Sequence, residues 1–413
     1  MFTKKTINDI DLDGKTVLLR EDYNVPVENG KITSDYRIKQ SLPTIRALLK
    51  HNVRLIVCSH LGRPSGPEDT AKSLLPVAKQ LSELLAKPVA FATDCVGPLA
   101  ESAAAKLQPG EILLLENLRF HPEEKANDDG FAKQLAALAG PDGVFVQDGF
   151  GVVHRPHAST VAITHHLPAV AGLLLTQEIE TINGVIEQPE RPLVVIIGGA
   201  KIADKIDILN RFTKIADTVA IGGAMANTFL AAQGVDVANS LYDEDKVKDA
   251  QTILDKAAAK TAKRKFNFGI PSDGVVATAI EGDAKTRIVE FGKDQLEPEE
   301  NILDIGPASA ERIVELVRTA RTVIWNGTMG VTEVSGRAGA VGPFAGGTEK
   351  VIEALISDSG HKPRTLVGGG DTAGYLETRR LVDQFWYVST GGGASLDLMG
   401  GHPLPGVEAL LDK

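Results

Sequence analysis

Short unbroken runs of branched apolar residues recur along the chain, and longer stretches with apolar positions at helical spacing separate them. In the first half the runs are Thr16–Leu19, Val53–Cys58, Ile112–Leu115 and Val144–Val146. In the second half they are Leu193–Ile197, Thr218–Ile221, Thr322–Trp325, Thr365–Val367 and Phe385–Val388. Runs of this kind, lacking apolar–polar alternation, predict strands buried on both faces, as in parallel sheets. The stretches Asp35–Lys50 and Thr70–Ala86 predict helices. Strand and helix in alternation predict an α/β fold with helices on both faces of the sheet.

The pattern restarts near the middle. Ala171–Gln188 reads as a helix, and Pro189-Glu190-Arg191-Pro192 cannot continue it. A chain of 413 residues is expected to form two domains at ~100–200 residues each, so the junction is placed at this helix. Gly336–Gly347 is glycine-rich with few apolar anchors, which predicts a mobile surface loop.

Composition narrows the function classes. The formal net charge is −10, whereas a nucleic-acid binder usually carries a basic excess. No apolar run approaches the ~18 residues of a membrane span, and the opening MFTKKTINDIDLDG lacks a signal peptide's apolar core. The two cysteines, Cys58 and Cys95, form no metal or disulfide spacing, and Cys58 reads as a buried, inert thiol. A reduced, cytoplasmic protein with neither nucleic-acid nor membrane partner is expected.

In open parallel sheets, ligands bind beyond the carboxyl ends of the strands. At those ends the first half places Arg20, Asp22 and Asn24, then His60 and Arg63, then Arg119, then Asp148 through His154, Arg155 and His157; a helix adds Arg37. Guanidinium forks match carboxylate and phosphate oxygens in pairs. Cationic and imidazole groups at successive strand exits therefore predict a site for a small, highly charged anion. His165 and His166 follow no such strand and read as structural.

The second half places glycine at the same positions: Gly198-Gly199-Ala200-Lys201, Gly222-Gly223-Ala224, Asn326-Gly327, Gly368-Gly369-Gly370-Asp371 and Gly391-Gly392-Gly393. Strand–glycine–helix turns aim free N–H groups at phosphate, so their repetition predicts a nucleotide. Lys201 and Lys205 are spaced to share one helix face, and Asp371 suits a nucleotide-bound magnesium. No G-x-x-x-x-G-K-[ST] occurs. Gly368, Gly370 and Ala373 imitate a dinucleotide fingerprint, but the next strand ends in Ser389-Thr390-Gly391 without the ribose-binding carboxylate, so a dehydrogenase is disfavoured. No hydrolase triad motif, HExxH, CxxC or catalytic His–carboxylate pair is evident.

The motifs LLREDYNVPVENGKITSDYRI, CSHLGRP, LLENLRFHPEE and FGVVHRPHAST, followed by IIGGAKIADKI, IGGAMANTFLAAQG, LDIGPAS, VIWNGTMG, VGGGDTA and STGGGASLDLMGGHPLPGV, resemble in sequence and order those of the phosphoglycerate kinase family. The resemblance covers nearly the whole chain. It implies a monomer of two doubly wound, Rossmann-like domains. These are a phosphoglycerate-binding domain over 1–172, onto which 396–413 pack back, a hinge helix over 173–189, and a nucleotide-binding domain over 190–395. It implies reversible phosphoryl transfer from 1,3-bisphosphoglycerate to ADP, giving 3-phosphoglycerate and ATP, with Mg2+ and hinge-bending closure.

By the same resemblance Asp22, Asn24, Arg37, His60, Arg63, Arg119 and Arg155 bind the glycerate or its phosphate. Lys201 and Lys205 belong to the nucleotide side, with Lys205 touching the moving phosphoryl group. Glu333 corresponds to the carboxylate near the ribose, and Gly369, Gly370, Asp371 and Thr372 to the phosphate and magnesium loop. Arg37 and Lys205 are the expected catalytic pair. The chain departs from the family pattern at Thr328, where proline is usual, at Ala224, where glycine is usual, and at Asn227, where an aromatic residue is usual. An insertion, Ser335–Val341, follows Glu333.

Overall fold

The computed structural model describes residues 2–263, 265–357 and 362–413. The chain divides into two compact units, Met1–Thr181 with His402–Lys413, and Ile182–Gly401. The division falls inside a helix that runs over Leu173–Glu187.

The first unit is built on a six-stranded sheet in the order Val89–Ala92, Ile112–Leu115, Arg54–Cys58, Thr16–Arg20, Val144–Gln147, Ala169–Ala171. All its neighbouring strands pair in parallel. Ile112–Leu115 and Val144–Gln147 are buried at every position, as the non-alternating runs predict. The helix Tyr36–Leu49 turns Ile38, Leu42, Ile45 and Leu48 onto this sheet's core at the spacing of one helical face.

The second unit repeats the plan. Its six parallel strands run in the order Asn267–Gly269, Thr218–Ile221, Leu193–Ile197, Thr322–Asn326, Arg364–Gly368, Tyr387–Val388. This is the doubly wound order in which the chain starts at the centre, works to one edge, and returns across the centre to the other. The two central strands, Leu193–Ile197 and Thr322–Asn326, mark the point where the winding direction reverses.

Three features differ from expectation. Edge strands such as Val89–Ala92, Ala169–Ala171 and Asn267–Gly269 carry alanine, glycine or polar residues rather than branched runs, so periodicity does not mark them. A separate antiparallel sheet, ordered Arg287–Glu290, Asp273–Ala277, Asn301–Ile305, interrupts the strand–helix alternation of the second unit. The returning C-terminal segment starts at His402 rather than at 396. The helix Gly393–Gly400 stays with the second unit because Arg211 donates to the carbonyls of Leu398 and Met399 at 3.0 and 3.1 Å.

The glycine-rich insertion is a closed turn. Gly336 N–H donates to the Ala340 carbonyl at 2.9 Å, Arg337 pairs with Asp283 at 3.1 Å, and Phe344 within the same stretch is fully buried. The apolar anchor that composition understated is that single phenylalanine.

Leu114 is wholly buried in the sheet core of the first unit. Leu114→Ala should cost ~2–5 kcal/mol, through lost transfer energy plus a residual cavity. The expected readout is a lower urea midpoint for the unfolding step of that unit.

Candidate functional site

Both sheets gather their polar groups at the carboxyl ends of their central strands. In the first unit, Arg20 ends the Thr16–Arg20 strand, in register with Cys58 on one side and Gln147 on the other. The residues after those neighbours, Ser59-His60 and Asp148, are thereby brought to its flanks.

Arg20 is fully buried and every arm of its guanidinium is engaged. Nε donates to Ser159 Oγ at 2.8 Å, Nη1 donates to the Glu21 carbonyl, and Nη2 lies 3.3 Å from His60 Nδ1. Ser159 Oγ in turn donates to the buried Glu124 carboxyl at 2.7 Å, and Ser159 N–H donates to its other oxygen at 3.0 Å. A guanidinium has no acceptor, so His60 Nδ1 must accept and its ring proton sits on Nε2. Burial pushes the His60 pKa well below the ordinary value, and the charges of Arg20, Arg119 and Arg37 push it the same way. His60 is thus a neutral donor at pH 7.

Arg37 is steered from the helix Tyr36–Leu49. Its Nη1 donates to Asp22 Oδ2 and to the Asn24 carbonyl, both at 3.1 Å. The other oxygen of Asp22 accepts Asn24 N–H at 3.1 Å, so Asp22 orients Arg37 rather than presenting a free carboxylate. Asn24 Oδ1 accepts Gly62 N–H at 2.8 Å, and Arg119 Nη1 donates to the Gly62 carbonyl at 2.8 Å. This network unites Asp22, Asn24, Arg37 and Arg119, while His60 is held by Arg20. Burial lowers the Arg119 pKa to about 10, with Arg20 contributing, and its buried Nε has no partner. Arg63 and Arg155 are exposed; Arg155 Nε contacts His154 at 3.0 Å, and Arg63 makes no hydrogen bond or ion pair among the described residues.

Two histidines also come near carboxyl groups distant along the chain, without reaching hydrogen-bond distance. His157 lies 3.7 Å from Glu124, and His60 lies 3.9 Å from Asp22. Burial, then Arg20 and Arg119, lower the His157 pKa to about 4. Glu21 and Asp148 form a buried carboxyl pair. Burial drives both upward, Asp148 to about 6, although Leu175 N–H donates to Asp148 at 3.0 Å. His165 and His166 both contact Asp129 at 3.0 Å, a surface arrangement in keeping with a structural role.

In the second unit Asn326 is in register with Ile197 and Gly368, which sets it beside the Gly198 and Gly369 turns. Lys205 Nζ donates to the Gly198 carbonyl at 2.6 Å, Asn326 Oδ1 at 2.7 Å and the Asn326 carbonyl at 3.3 Å. Three acceptors match the three protons of an ammonium. Burial lowers the Lys205 pKa to about 8, and Asp371 and Asp204 oppose that shift. Asn326 Nδ2, also buried, has no partner.

Two glycines are dictated by close approach. Gly327 has φ +94°, and a Cβ there would lie 2.2 Å from the Gly198 carbonyl oxygen and 2.6 Å from Lys205 Nζ. Gly369, also at φ +94°, caps the helix Gly370–Thr378, whose first turn carries Asp371 exposed and Thr372 buried. Thr372 Oγ1 accepts Gly327 N–H at 2.8 Å, tying the two glycine turns together. The first N–H groups of such a helix lack intrahelical partners and face an incoming anion.

The expectation that Lys201 and Lys205 share a helix face is not met. Gly199 turns the chain at φ +101°, Asp243 accepts the N–H groups of Ile202 and Ala203, and the α-helix begins only at Ile206. Lys201 is therefore exposed on the loop while Lys205 is buried. Glu333 is also exposed, and among the described residues its carboxyl accepts only its neighbour's N–H, Thr332, at 3.0 Å. Asn227 is fully buried, with Nδ2 donating to the Leu241 carbonyl at 3.0 Å and Oδ1 unpartnered. It lines an apolar crevice with Gly223, Leu230, Phe291 and Ile302.

Sequence reasoning missed Glu124 and Ser159 as supports, and it missed the role of Asn326. Asn326 is marked only as a polar residue closing an otherwise apolar strand, and Glu124 and Ser159 lie in polar segments without such a mark. Both cysteines are buried and free, and burial raises the Cys58 pKa to about 12, in line with an inert thiol. No helix among the described residues is long and apolar enough to cross a membrane.

A family model described as phosphoglycerate kinase matches residues 7–402. The chain is 47% identical over 413 residues to the phosphoglycerate kinase of Pelotomaculum thermopropionicum, and 47% identical over 412 residues to that of Moorella thermoacetica; both alignments cover 100% of either chain. The structure of phosphoglycerate kinase from Coxiella burnetii superposes with a TM-score of 0.78 at 36% identity, covering 98% of each chain. That from Pyrococcus horikoshii gives 0.82 at 29% identity, covering 99% of this chain and 98% of the other.

The lowered His157 pKa gives a stability prediction. Its folded value lies below the unfolded value of 6.5, so its contribution is present above pH 6.5 and lost as pH falls towards about 4. His157→Gln should therefore lose less of its urea midpoint between pH 7 and pH 5 than the wild type does. The Glu21–Asp148 pair is raised and acts with the opposite sign in both proteins, so it drops out of the comparison.

Proposed function

The chain belongs to the phosphoglycerate kinase family, and from that premise we propose that it transfers a phosphoryl group reversibly between 1,3-bisphosphoglycerate and ADP, giving 3-phosphoglycerate and ATP. The observation that carries this reading is a pair of buried donors without partners, Arg119 Nε and Asn326 Nδ2, one at each sheet's carboxyl edge. An orphaned buried donor costs ~1–3 kcal/mol, and a bound anion would recover it.

On this reading the glycerate and its phosphate bind in the first unit, against Arg37, Arg119 and the His60 Nε2 proton, with the exposed Arg63 and Arg155 closing over them. Asp22 and Asn24 hold Arg37 and the Gly62 turn in position. The nucleotide phosphates bind over Gly369, Gly370 and Thr372 at the helix N-terminus, with Lys201 as an outer cation and Glu333 towards the ribose.

Magnesium fits the exposed Asp371 carboxyl beside the helix N-terminus, since Mg2+ commonly takes one or two carboxylates plus phosphate oxygens. When bound with the nucleotide it would offset phosphate charge.

The attacking group in the ATP-forming direction is an ionised phosphate oxygen, and the group that leaves is a carboxylate. One P–O bond forms as another breaks, and no proton need move, so no general base is required. Catalysis then rests on positioning and on stabilising charge at the moving phosphoryl group. Arg37 and Lys205 supply that charge. Lys205 would exchange one of its carbonyl partners for a phosphoryl oxygen. Arg37 belongs to one unit and Lys205 to the other, so acting on one phosphorus requires the units to close on the substrates. The pathway role would be in glycolysis and gluconeogenesis, in the cytoplasm.

A coupled assay of ATP-dependent phosphorylation of 3-phosphoglycerate tests the activity, and absence of turnover with Mg2+ present would overturn it. Arg37→Ala and Lys205→Ala should each lower kcat by ~10²-fold or more, the scale of losing one preorganised charge stabiliser. Near-wild-type turnover in either variant would remove that residue from the assignment. Small-angle scattering should show a smaller radius of gyration with both substrates bound than with either alone; an unchanged radius would count against closure.

A further inference from the structure

Away from the groups that hold substrate, three side chains with three kinds of metal-binding atom converge in the first unit. The strands Val89–Ala92 and Ile112–Leu115 are parallel neighbours with Ala92 in register with Leu115. The segments leaving them therefore run side by side, one carrying Asp94 and Cys95, the other His121. A carboxyl oxygen of Asp94, Cys95 Sγ and a ring nitrogen of His121 all lie within 4.8 Å of one another.

The surroundings suit a metal ion. His121 Nε2 is 2.7 Å from Asp94 Oδ1, which also accepts Cys95 N–H at 2.7 Å, while Asp94 Oδ2 makes no hydrogen bond among the described residues. Cys95 is fully buried, but the side chains of Asp94 and His121 are 37% and 26% exposed, leaving an approach from water. Zinc takes thiolate sulfur at ~2.3 Å and imidazole nitrogen at ~2.0–2.1 Å. Seating an ion here needs small side-chain rotations and the exchange of the His121–Asp94 contact for two metal bonds.

We propose that Asp94, Cys95 and His121 form a binding site for a divalent transition-metal ion of the zinc type, with water completing a four-coordinate centre. As the metal–sulfur bond forms, the Cys95 thiol releases its proton to solvent. Without metal the thiol is inert, because burial holds its pKa well above the ordinary value. The donor set separates this site from magnesium, which prefers oxygen ligands throughout. Occupancy would tie the Asp94–Cys95 segment to the turn that carries Arg119, because His121 directly follows the Leu118–Phe120 turn.

The test is a Co2+ titration of the reduced full-length chain, read by thiolate-to-metal charge transfer in the near ultraviolet. A single equivalent should bind, be displaced by Zn2+, and be indifferent to excess Mg2+. Cys95→Ser should lose the band, whereas Cys58→Ser, altering the other cysteine, should keep it. His121→Gln should weaken binding by roughly 10-fold or more, since loss of even an outer partner of a metal ligand costs that much. No charge-transfer band in the wild type, a band that survives Cys95→Ser, or unchanged affinity in His121→Gln would each overturn the proposal. Should Cys95→Ser fail to fold, His121→Gln still decides, because its side chain is partly exposed and its melting temperature can be compared directly.

Discussion

Burial of the Arg20 guanidinium at the carboxyl edge of the first sheet is the constraint from which that region's architecture follows. A guanidinium cannot shed its proton inside a protein, so its removal from water must be offset by partners in fixed geometry. Ser159, the Glu21 carbonyl and His60 supply them, and the buried Glu124 carboxyl holds Ser159 in place. Because Arg20 occupies His60 Nδ1, the proton that remains on that ring is left for a ligand. The same positive charge helps keep His60 and His157 neutral and lowers Arg119. That buried charge fixes the His60 tautomer and adds to burial in setting the charge state of groups from three other strand exits.

The second unit solves a related problem with a different residue. Lys205 is buried like Arg20, but an ammonium is a point donor, and backbone carbonyls of Gly198 and Asn326 suffice to hold it. This approach requires Gly327 to carry no Cβ, since any side chain there would overlap both the Gly198 carbonyl and the ammonium. The glycines that read as phosphate cradles therefore also admit the lysine. Backbone and side-chain requirements at this edge are one constraint.

Much of this was legible in sequence for a physical reason. Strands buried on both faces must be apolar throughout, so the central strands announce themselves, and ligand groups must follow their carboxyl ends. His60, Arg119, Lys205 and Asp371 follow such strand ends, whereas Arg37 comes from a helix. Edge strands escape because they are short and carry alanine, glycine or asparagine in place of branched runs. Lys201 was misplaced because a single left-handed glycine, Gly199, delays the helix by a turn, which spacing alone cannot reveal. Asp22 already accepts one hydrogen bond on each oxygen, from Arg37 and from Asn24 N–H, a pairing that spacing along the chain does not show.

The sequence by itself determined that two parallel-sheet layers would form and that one half would carry cations and the other glycines at its strand ends. Those facts follow from local periodicity and from residue type, which need no knowledge of distant neighbours. Only the tertiary structure decided which of these groups are buried, which are already paired, and which donors remain open. Those outcomes depend on contacts such as Arg20 with Ser159, Lys205 with Asn326, and Asp94 with His121. Their partners are far apart along the chain, and it is strand register that brings them within hydrogen-bonding distance. Proton position and charge at each site are properties of that register, since burial and neighbouring charge set them and neither is encoded in any one residue.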